Sequence, residues 1–337
     1  MHPEELICPT TQGLYCPPAD VYIDPMRPVA RALITHGHSD HARAGHGAVM
    51  ATAETLGIMT VRYGEDFTES RQPVAFGERV TVNGVAISFH PAGHVLGSAQ
   101  ILLEWQGFRA VVSGDYKRLP DRTAGMFEPL RCELFISEAT FGLPVFCHPP
   151  TEHEVAKLLE SVELFPERAH LVGAYPLGKA QRLMALIHDA GYDKPIYMHG
   201  AIQRLTEFYQ SRAIPLGDIR PVQLDDRKSM GGAIVICPPS AMQEAWSRKF
   251  PDPVTAFASG WMRVRARAKQ KGVELPLVVS DHADWDDLGR TIRETGAEEV
   301  WVTHGAEEAL VHWCETEGIR ARPLRLVGYG DEEGEAA

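Results

Sequence analysis

Apolar residues in the first part of the chain come in short β-branched runs closed by turn residues. These runs are VYIDP (21–25), RALITHGH (31–38), RVTVNGVAISFHPAG (79–93), AQILLEWQGFRAVVSGD (99–115) and LFISEATFG (134–142). They predict strands, and the pairs Asn83-Gly84 and Gln106-Gly107 predict two-residue hairpin turns within them. From about residue 151 the spacing becomes helical, in EHEVAKLLESVELF (152–165) and GKAQRLMALIHDAG (178–191), with Gly191 as a C-terminal stop. Strand-like runs then alternate with helical ones: HLVGAYP (170–176), PIYMHG (195–200), a helix over AIQRLTEFYQ (201–210), GAIVICPP (232–239), and a further helix around AMQEAW (241–246). The opening texture returns in LPLVVSDHADWDDL (275–288), EEVWVTHGAEEAL (298–310) and ARPLRLVG (321–328). This predicts an α/β protein in which one domain, 1–150 and 273–330, is interrupted by an α/β insertion over 151–272. An acidic tail, 331–337, follows as a frayed end.

Composition changes this picture little. At 337 residues, 44% hydrophobic and 23% charged, the chain reads as soluble and globular, with no apolar run near the ~20 residues needed to span a bilayer. The sequence MHPEELICPTTQ lacks the basic and apolar regions of a signal peptide, so a cytoplasmic location without membrane attachment is expected. The six cysteines form no CxxC pair, which argues against a zinc ribbon and for buried thiols. A net charge of −12 disfavours a polyanionic partner at long range, although bound cations would offset it locally.

The candidate chemistry concentrates at strand ends. After the strand RALIT comes the loop HGHSDH, which holds His36, His38, Asp40 and His41. Ligands this close cannot all bind one tetrahedral ion without crowding, whereas two ions sharing the loop relieve the conflict. Imidazole and carboxylate without thiolate suit Zn, Mn or Fe. The bland alternative is a chance cluster of surface histidines, and His46, outside the pattern, is read as incidental. HPAGHVLGSAQ carries His94 between glycines, and VVSGDYK carries Asp115 after a β-branched pair. Each alone is more often structural, but beside HxHxDH they read as ligands.

The spaced set His36-Gly-His38-Ser-Asp40-His41, then His94, then Asp115 resembles the metallo-β-lactamase superfamily. The resemblance implies a four-layer αββα sandwich with the ligands on loops at one edge. It implies that His36, His38 and His94 hold one metal, that Asp40 and His41 belong to the second, and that Asp115 bridges both. Asp24 in YIDP resembles an early aspartate that supports the metal loop from behind; as a bare feature it is equally a turn residue. Glu138 in FISEATFG, His282 in VVSDHADW and His304 in VWVTHGAEE resemble the three motifs of the β-CASP nuclease branch, whose second domain is inserted where the α/β middle segment lies. GLYCPP, SGWM and SDHADW are similar to bacterial DNA ligase-associated exonucleases, which implies DNA with single-stranded ends as substrate and functional association with a ligase and a helicase. Against this, His304 is the residue that RNA-processing members carry at the third motif, so RNA remains an alternative.

The resemblance implies hydrolysis of a phosphodiester. Two cations roughly 3.5–4 Å apart can share a bridging hydroxide and clamp phosphate oxygens. Asp40 is counted with the catalytic set for its place in that centre. His282 is the candidate general acid, with Glu138 orienting it; a helix-capping loop is the alternative for this segment. For substrate contact the candidates are Lys179 in YPLGKAQ, at a helix start where backbone N–H groups also face out, and Tyr175 as a base-stacking ring. The run WMRVRARAKQKG adds Arg263 and Arg265 at the head of five alternating cations, which share a face on a strand and scatter on a helix. A solvated surface is the default for that run. The leading expectation is a metal-dependent DNA exonuclease. RNA processing, a small-molecule metallohydrolase and an inactive scaffold are the competitors, and the complete ligand set argues against the last.

Overall fold

The computed structural model describes residues 2–223 and 229–326, and these divide into two compact units: residues 2–144 with 282–326, and residues 145–281. The second is somewhat wider on both sides than the insertion expected from sequence. The 331–337 tail and the end of ARPLRLVG lie outside the described residues.

In the first unit a short helix α1 (Pro3–Leu6) precedes β1 (Cys8–Thr10), β2 (Gly13–Cys16), β3 (Val21–Ile23), β4 (Arg31–Leu33), β5 (His46–Thr52), α2 (Ala53–Tyr63) and β6 (Thr68–Val74). Strands β1 to β3 are antiparallel and β3 to β6 parallel, in sequence order within one sheet. Helix α2 starts where the Thr52 hydroxyl accepts the Thr55 N–H, and it buries Leu56 and Met59 against Ala32, Ile34, Val49 and Ala51 of this sheet.

A second sheet begins with β7 (Arg79–Val82), β8 (Val85–Pro91), β9 (Ala99–Trp105), β10 (Phe108–Val112) and β11 (Leu134–Ala139). Its hairpins turn at Asn83-Gly84 and Gln106-Gly107. All four residues have positive φ (49°, 85°, 50° and 83°), the geometry whose twist matches antiparallel strands. Alternate residues of the two sheets interdigitate in one core that includes Ile23 and Leu33 on one side and Ile87, Phe89, Ile101 and Ile136 on the other.

The second unit is a separate parallel sheet. Its elements are α3 (Thr151–Leu164), β12 (His170–Gly173), α4 (Lys179–Asp189), β13 (Ile196–Met198), α5 (Gly200–Ser211), β14 (Ile219–Pro221), β15 (Ile234–Cys237), β16 (Val254–Ala258), α6 (Arg265–Lys271) and β17 (Leu275–Leu277). The spatial order is β14-β13-β15-β12-β16-β17, every neighbouring pair parallel. Central strands β12 and β15 are buried at every residue, as strands covered on both faces must be. The helix expected around AMQEAW is instead two 3₁₀ turns, Pro239–Gln243 and Ser247–Lys249. The Ser247 hydroxyl donates to the carbonyls of Met242 and Glu244, closing the turn as Trp246 packs on Phe250.

The chain returns to the first unit with α7 (Trp285–Thr295), β18 (Glu299–Gly305), α8 (Glu307–Thr316) and β19 (Arg320–Pro323). The second sheet is completed in the order β19-β18-β11-β10-β9-β8-β7. Helices α7 and α8 cover its outer face, burying Leu288, Ile292, Leu310 and Cys314 against Leu102, Val111, Phe135 and Val300. Helix α7 is capped at its start by Asp284, which accepts the Asp287 N–H, and at its end by left-handed Gly296. All six cysteines are free. Among the described residues no helix is long and apolar enough to cross a membrane.

Candidate metal centre

Strand direction brings the chemistry together. Strands β10, β11 and β18 run parallel, and β8 is antiparallel to β9, which is antiparallel to β10. The C-terminal ends of β8, β10, β11 and β18 therefore share one sheet edge. The segments that start there carry His94, Asp115, Glu138 near the end of β11, and His304 near the end of β18. The loop after β4 supplies His36, His38, Asp40 and His41, tied to this edge because Ala99 N–H donates to the Thr35 carbonyl at 2.8 Å.

Within this unit three donor groups result, and Asp115 is common to all: one is Asp115 with Glu138 and His282, and the other two draw on the histidine loop. His36, His38, His94 and Asp115 offer ligand atoms within 4.8 Å of one another, as do His41, Asp115 and His304. Asp115 Oδ2 lies 3.4 Å from His36 Nε2, 3.6 Å from His94 Nε2 and 3.6 Å from His41 Nε2, and Asp115 Oδ1 lies 3.7 Å from His304 Nδ1. Two ligands about 2.0–2.1 Å from a shared tetrahedral ion stand about 3.4 Å apart, so these separations match a coordination shell. Asp40 stands beside the second group, Oδ2 3.7 Å from His41 Nε2. His36 Nε2 and Asp40 Oδ1 are buried without a hydrogen-bond partner, which is costly unless a cation meets them. Borderline and hard donors, close approach and unsatisfied buried atoms together fit a pair of divalent ions.

The electrostatics point the same way. Burial, reinforced by the neighbouring His41, holds the His36 imidazole well below its usual range. Burial alone would also lower His41, but Asp115, Asp40 and Asp24 override it and lift His41 to about 10. Asp115, pushed up by burial, is pulled well below the usual carboxylate range by His41 and His36. The carboxylates thus draw positive charge into a buried pocket.

Residues behind the ligands fix them. Asp24, at φ 45°, accepts the Thr35 N–H at 2.8 Å and the Thr35 hydroxyl at 2.6 Å, and its Oδ2 is 2.8 Å from His41 Nδ1. Thr35 Oγ1 also lies 3.0 Å from His36 Nδ1. Ser98 Oγ accepts the N–H groups of His94 and Val95. Sequence reasoning missed Thr35 and Ser98; the only signal was a hydroxyl residue beside each histidine motif. Glycine is required at 93, where φ is 75° and a Cβ would sit 2.2 Å from the Lys117 carbonyl oxygen. His282 Nδ1 is 2.9 Å from Glu138 Oε2, while Tyr116 N–H donates to Glu138 Oε1 at 2.7 Å. Glu138, fully buried, thereby orients the imidazole. His46 stays outside all three donor groups, its Nδ1 accepting the Val29 N–H from within β5.

The expected substrate residues lie in the second unit and differ in exposure. Arg263, in a 3₁₀ turn at Gly260–Arg263, and Arg265, opening α6, are exposed. The basic run is helical here, so its cations scatter: Arg267 lies over the Trp261 ring and Lys271 near that of Phe257. Tyr175 is half-buried against Phe257 and Met262. Lys179 corrects the sequence reading. It is fully buried, with Nζ 2.8 Å from Asp281 Oδ1, so it is an internal ion-pair partner rather than an exposed phosphate contact.

A two-sheet unit with buried histidines gathered around a shared carboxylate at one edge defines the kind of site that metallohydrolases use. The chain is a homologue of the β-CASP nucleases of the metallo-β-lactamase superfamily. It is 29% identical over 92% of its length to a probable DNA ligase of Opitutus terrae, of which it spans 30%. It is 30% identical over 48% of its length to the endoribonuclease ysh1 of Aspergillus fumigatus, spanning 19% of that protein. It is also 30% identical over 39% of its length to the cleavage and polyadenylation specificity factor subunit 3 of Dictyostelium discoideum, spanning 17% of it. The chain thus spans less than a third of each of these three. A crystal structure of a protein of unknown function from Enterococcus faecalis V583 shares the fold at 14% identity, with a TM-score of 0.61 over 85% of this chain and 78% of that one. No protein-family model matches the chain.

Proposed function

We propose that this protein has the metallo-β-lactamase and β-CASP architecture and is a two-metal phosphodiesterase that trims single-stranded DNA ends. The observation that carries this reading is the shared edge at which two donor groups meet through Asp115 while His282, held by Glu138, stands with them. His36, His38, His94 and Asp115 would hold one ion, and Asp40, His41, Asp115 and His304 the other, with zinc or manganese fitting the donors and iron a third option. Bound divalent ions supply Lewis-acid charge to the phosphate and acidify water. His282 donates Nδ1–H to Glu138, which leaves Nε2 as the atom that passes a proton to the departing alkoxide. Arg263 and Arg265 track backbone phosphates, and Tyr175 offers a ring for stacking.

DNA is favoured because the relative matched along 92% of this chain is named a probable DNA ligase. A region like this chain inside such a protein also supports work beside a ligase, and by extension a helicase, in repair in the cytoplasm. RNA is the second reading, supported by His304 and by relatives named endoribonucleases. Matched single-stranded DNA and RNA, labelled at either end and incubated with Mn²⁺ or Zn²⁺, decide between them. Stepwise loss from one DNA end, absent in an Asp40→Ala/His41→Ala variant, is expected; cleavage of RNA alone would overturn the DNA reading, and cleavage of neither would overturn both.

A further inference from the structure

The short segment that follows β17 is held by three buried charged side chains of its own unit. Glu154 of α3 accepts the Val278 N–H at 2.9 Å. Arg182 of α4 donates to the Ser280 carbonyl at 3.0 Å. Lys179, at the first turn of α4, pairs with Asp281 at 2.8 Å. Glu154, Lys179 and Arg182 are 1%, 0% and 2% exposed, and Asp281 is 2% exposed. Burying four charges is expensive, and an apolar contact would hold two elements together as well. A network of charged groups can fix one backbone geometry instead, because its members pair in one arrangement only. The residue that follows Asp281 is His282, whose ring is fixed by Glu138.

We infer that Lys179, with Arg182 and Glu154 as its companions, is a positioning residue for His282. The clamp sets the backbone immediately before the imidazole, and Glu138 sets the ring. This rests on the assignment of His282 as the proton donor. It assigns the lysine an internal role and leaves phosphate contact to the exposed Arg263 and Arg265.

The test uses the whole 337-residue chain with Lys179→Met, Asp281→Asn, the paired Lys179→Met/Asp281→Asn, and Arg263→Ala as the comparison, each first confirmed folded by thermal unfolding. Steady-state cleavage of single-stranded DNA is measured across a salt series. For Lys179→Met kcat is expected to fall by about tenfold to a hundredfold, as for loss of a residue that orients a catalytic group, with KM and the salt dependence unchanged. The paired variant leaves no charge of this pair unpartnered yet still lacks the clamp, so it is expected to stay about as slow as the single variant. A raised KM with a salt slope reduced by about one would show that Lys179 meets the substrate, and the inference would be overturned. A paired variant that recovers most of the loss would overturn it equally, because the defect of the single variant would then come from an unpartnered buried charge. If the wild type cuts no nucleic acid, the functional reading fails, and a crystal structure of Lys179→Met then decides the positioning role. Displacement of His282 from Glu138 supports it, and an unmoved ring removes it.

Discussion

Three hydrogen-bonding groups converge on Asp24: the Thr35 N–H, the Thr35 hydroxyl and His41 Nδ1. Neutralising it as Asp24→Asn is expected to weaken one zinc site by about tenfold to a hundredfold in a competitive chelator titration, leaving the other nearer wild type. Gly93→Ala tests the opposite kind of support, by steric conflict. Its Cβ would meet the Lys117 carbonyl at 2.2 Å in a backbone already at φ 75°, so the His94 loop must move. Nuclease activity and affinity for the first ion are expected to fall together. His41 links the centre to pH. Its folded value of about 10 lies above the ordinary 6.5, so the stability it lends the metal-free protein is full below pH 6.5 and is lost as pH rises towards 10. A protonated imidazole cannot ligate, so binding of the ion at His41 is expected to release a proton at pH 7 and to tighten as pH rises. Calorimetry in buffers of different ionisation enthalpy reads that proton directly.

Hairpins and helix ends carry the next set of constraints. Gln106 sits in the left-handed region at φ 50°, a conformation that Asn and Gly accept more readily than Gln. Gln106→Asn is expected to raise the midpoint of thermal unfolding slightly, whereas Gln106→Val is expected to cost about 1–2 kcal/mol. The pairing of β9 with β10 through Trp105 and Phe108 brings β10, and with it Asp115, to the edge, so the valine variant also probes whether the turn affects metal binding. At the other end of the unit, α7 begins at Asp284, two residues after His282, and its N-cap acceptor fixes where the helix starts. The helix-capping role weighed for this segment therefore belongs to Asp284, and His282 is left to face Glu138.

For the whole molecule, charge sets how the proposed nucleic-acid substrate would be met. With a net charge of −12, attraction must be local. Arg263→Ala and Arg265→Ala are each expected to weaken single-strand binding in fluorescence anisotropy and to reduce the salt slope by about one. The helical setting of α6 means that substituting Arg267, which lies over Trp261, is expected to change stability more than binding.

The histidine motif, the hairpin turns at Asn83-Gly84 and Gln106-Gly107, and the alternation of strands and helices in the middle of the chain were legible from the amino-acid order, because each is set within a few residues. The segment 46–74 was not: β5, α2 and β6 there carry only weak period, with Gly47 and the exposed SRQ of β6 diluting it. Local order also misread AMQEAW, whose helical spacing is overridden by hydrogen bonds from Ser247 and the packing of half-buried Trp246 against Phe250. What only the tertiary structure decided is which side chains face each other. A sequence lists His94, Asp115, Glu138 and His304 far apart. Parallel strands deliver their ends to one edge, and that arrangement makes Asp115 common to three donor groups, aims Glu138 at His282, and seals Lys179 against Asp281 inside the protein.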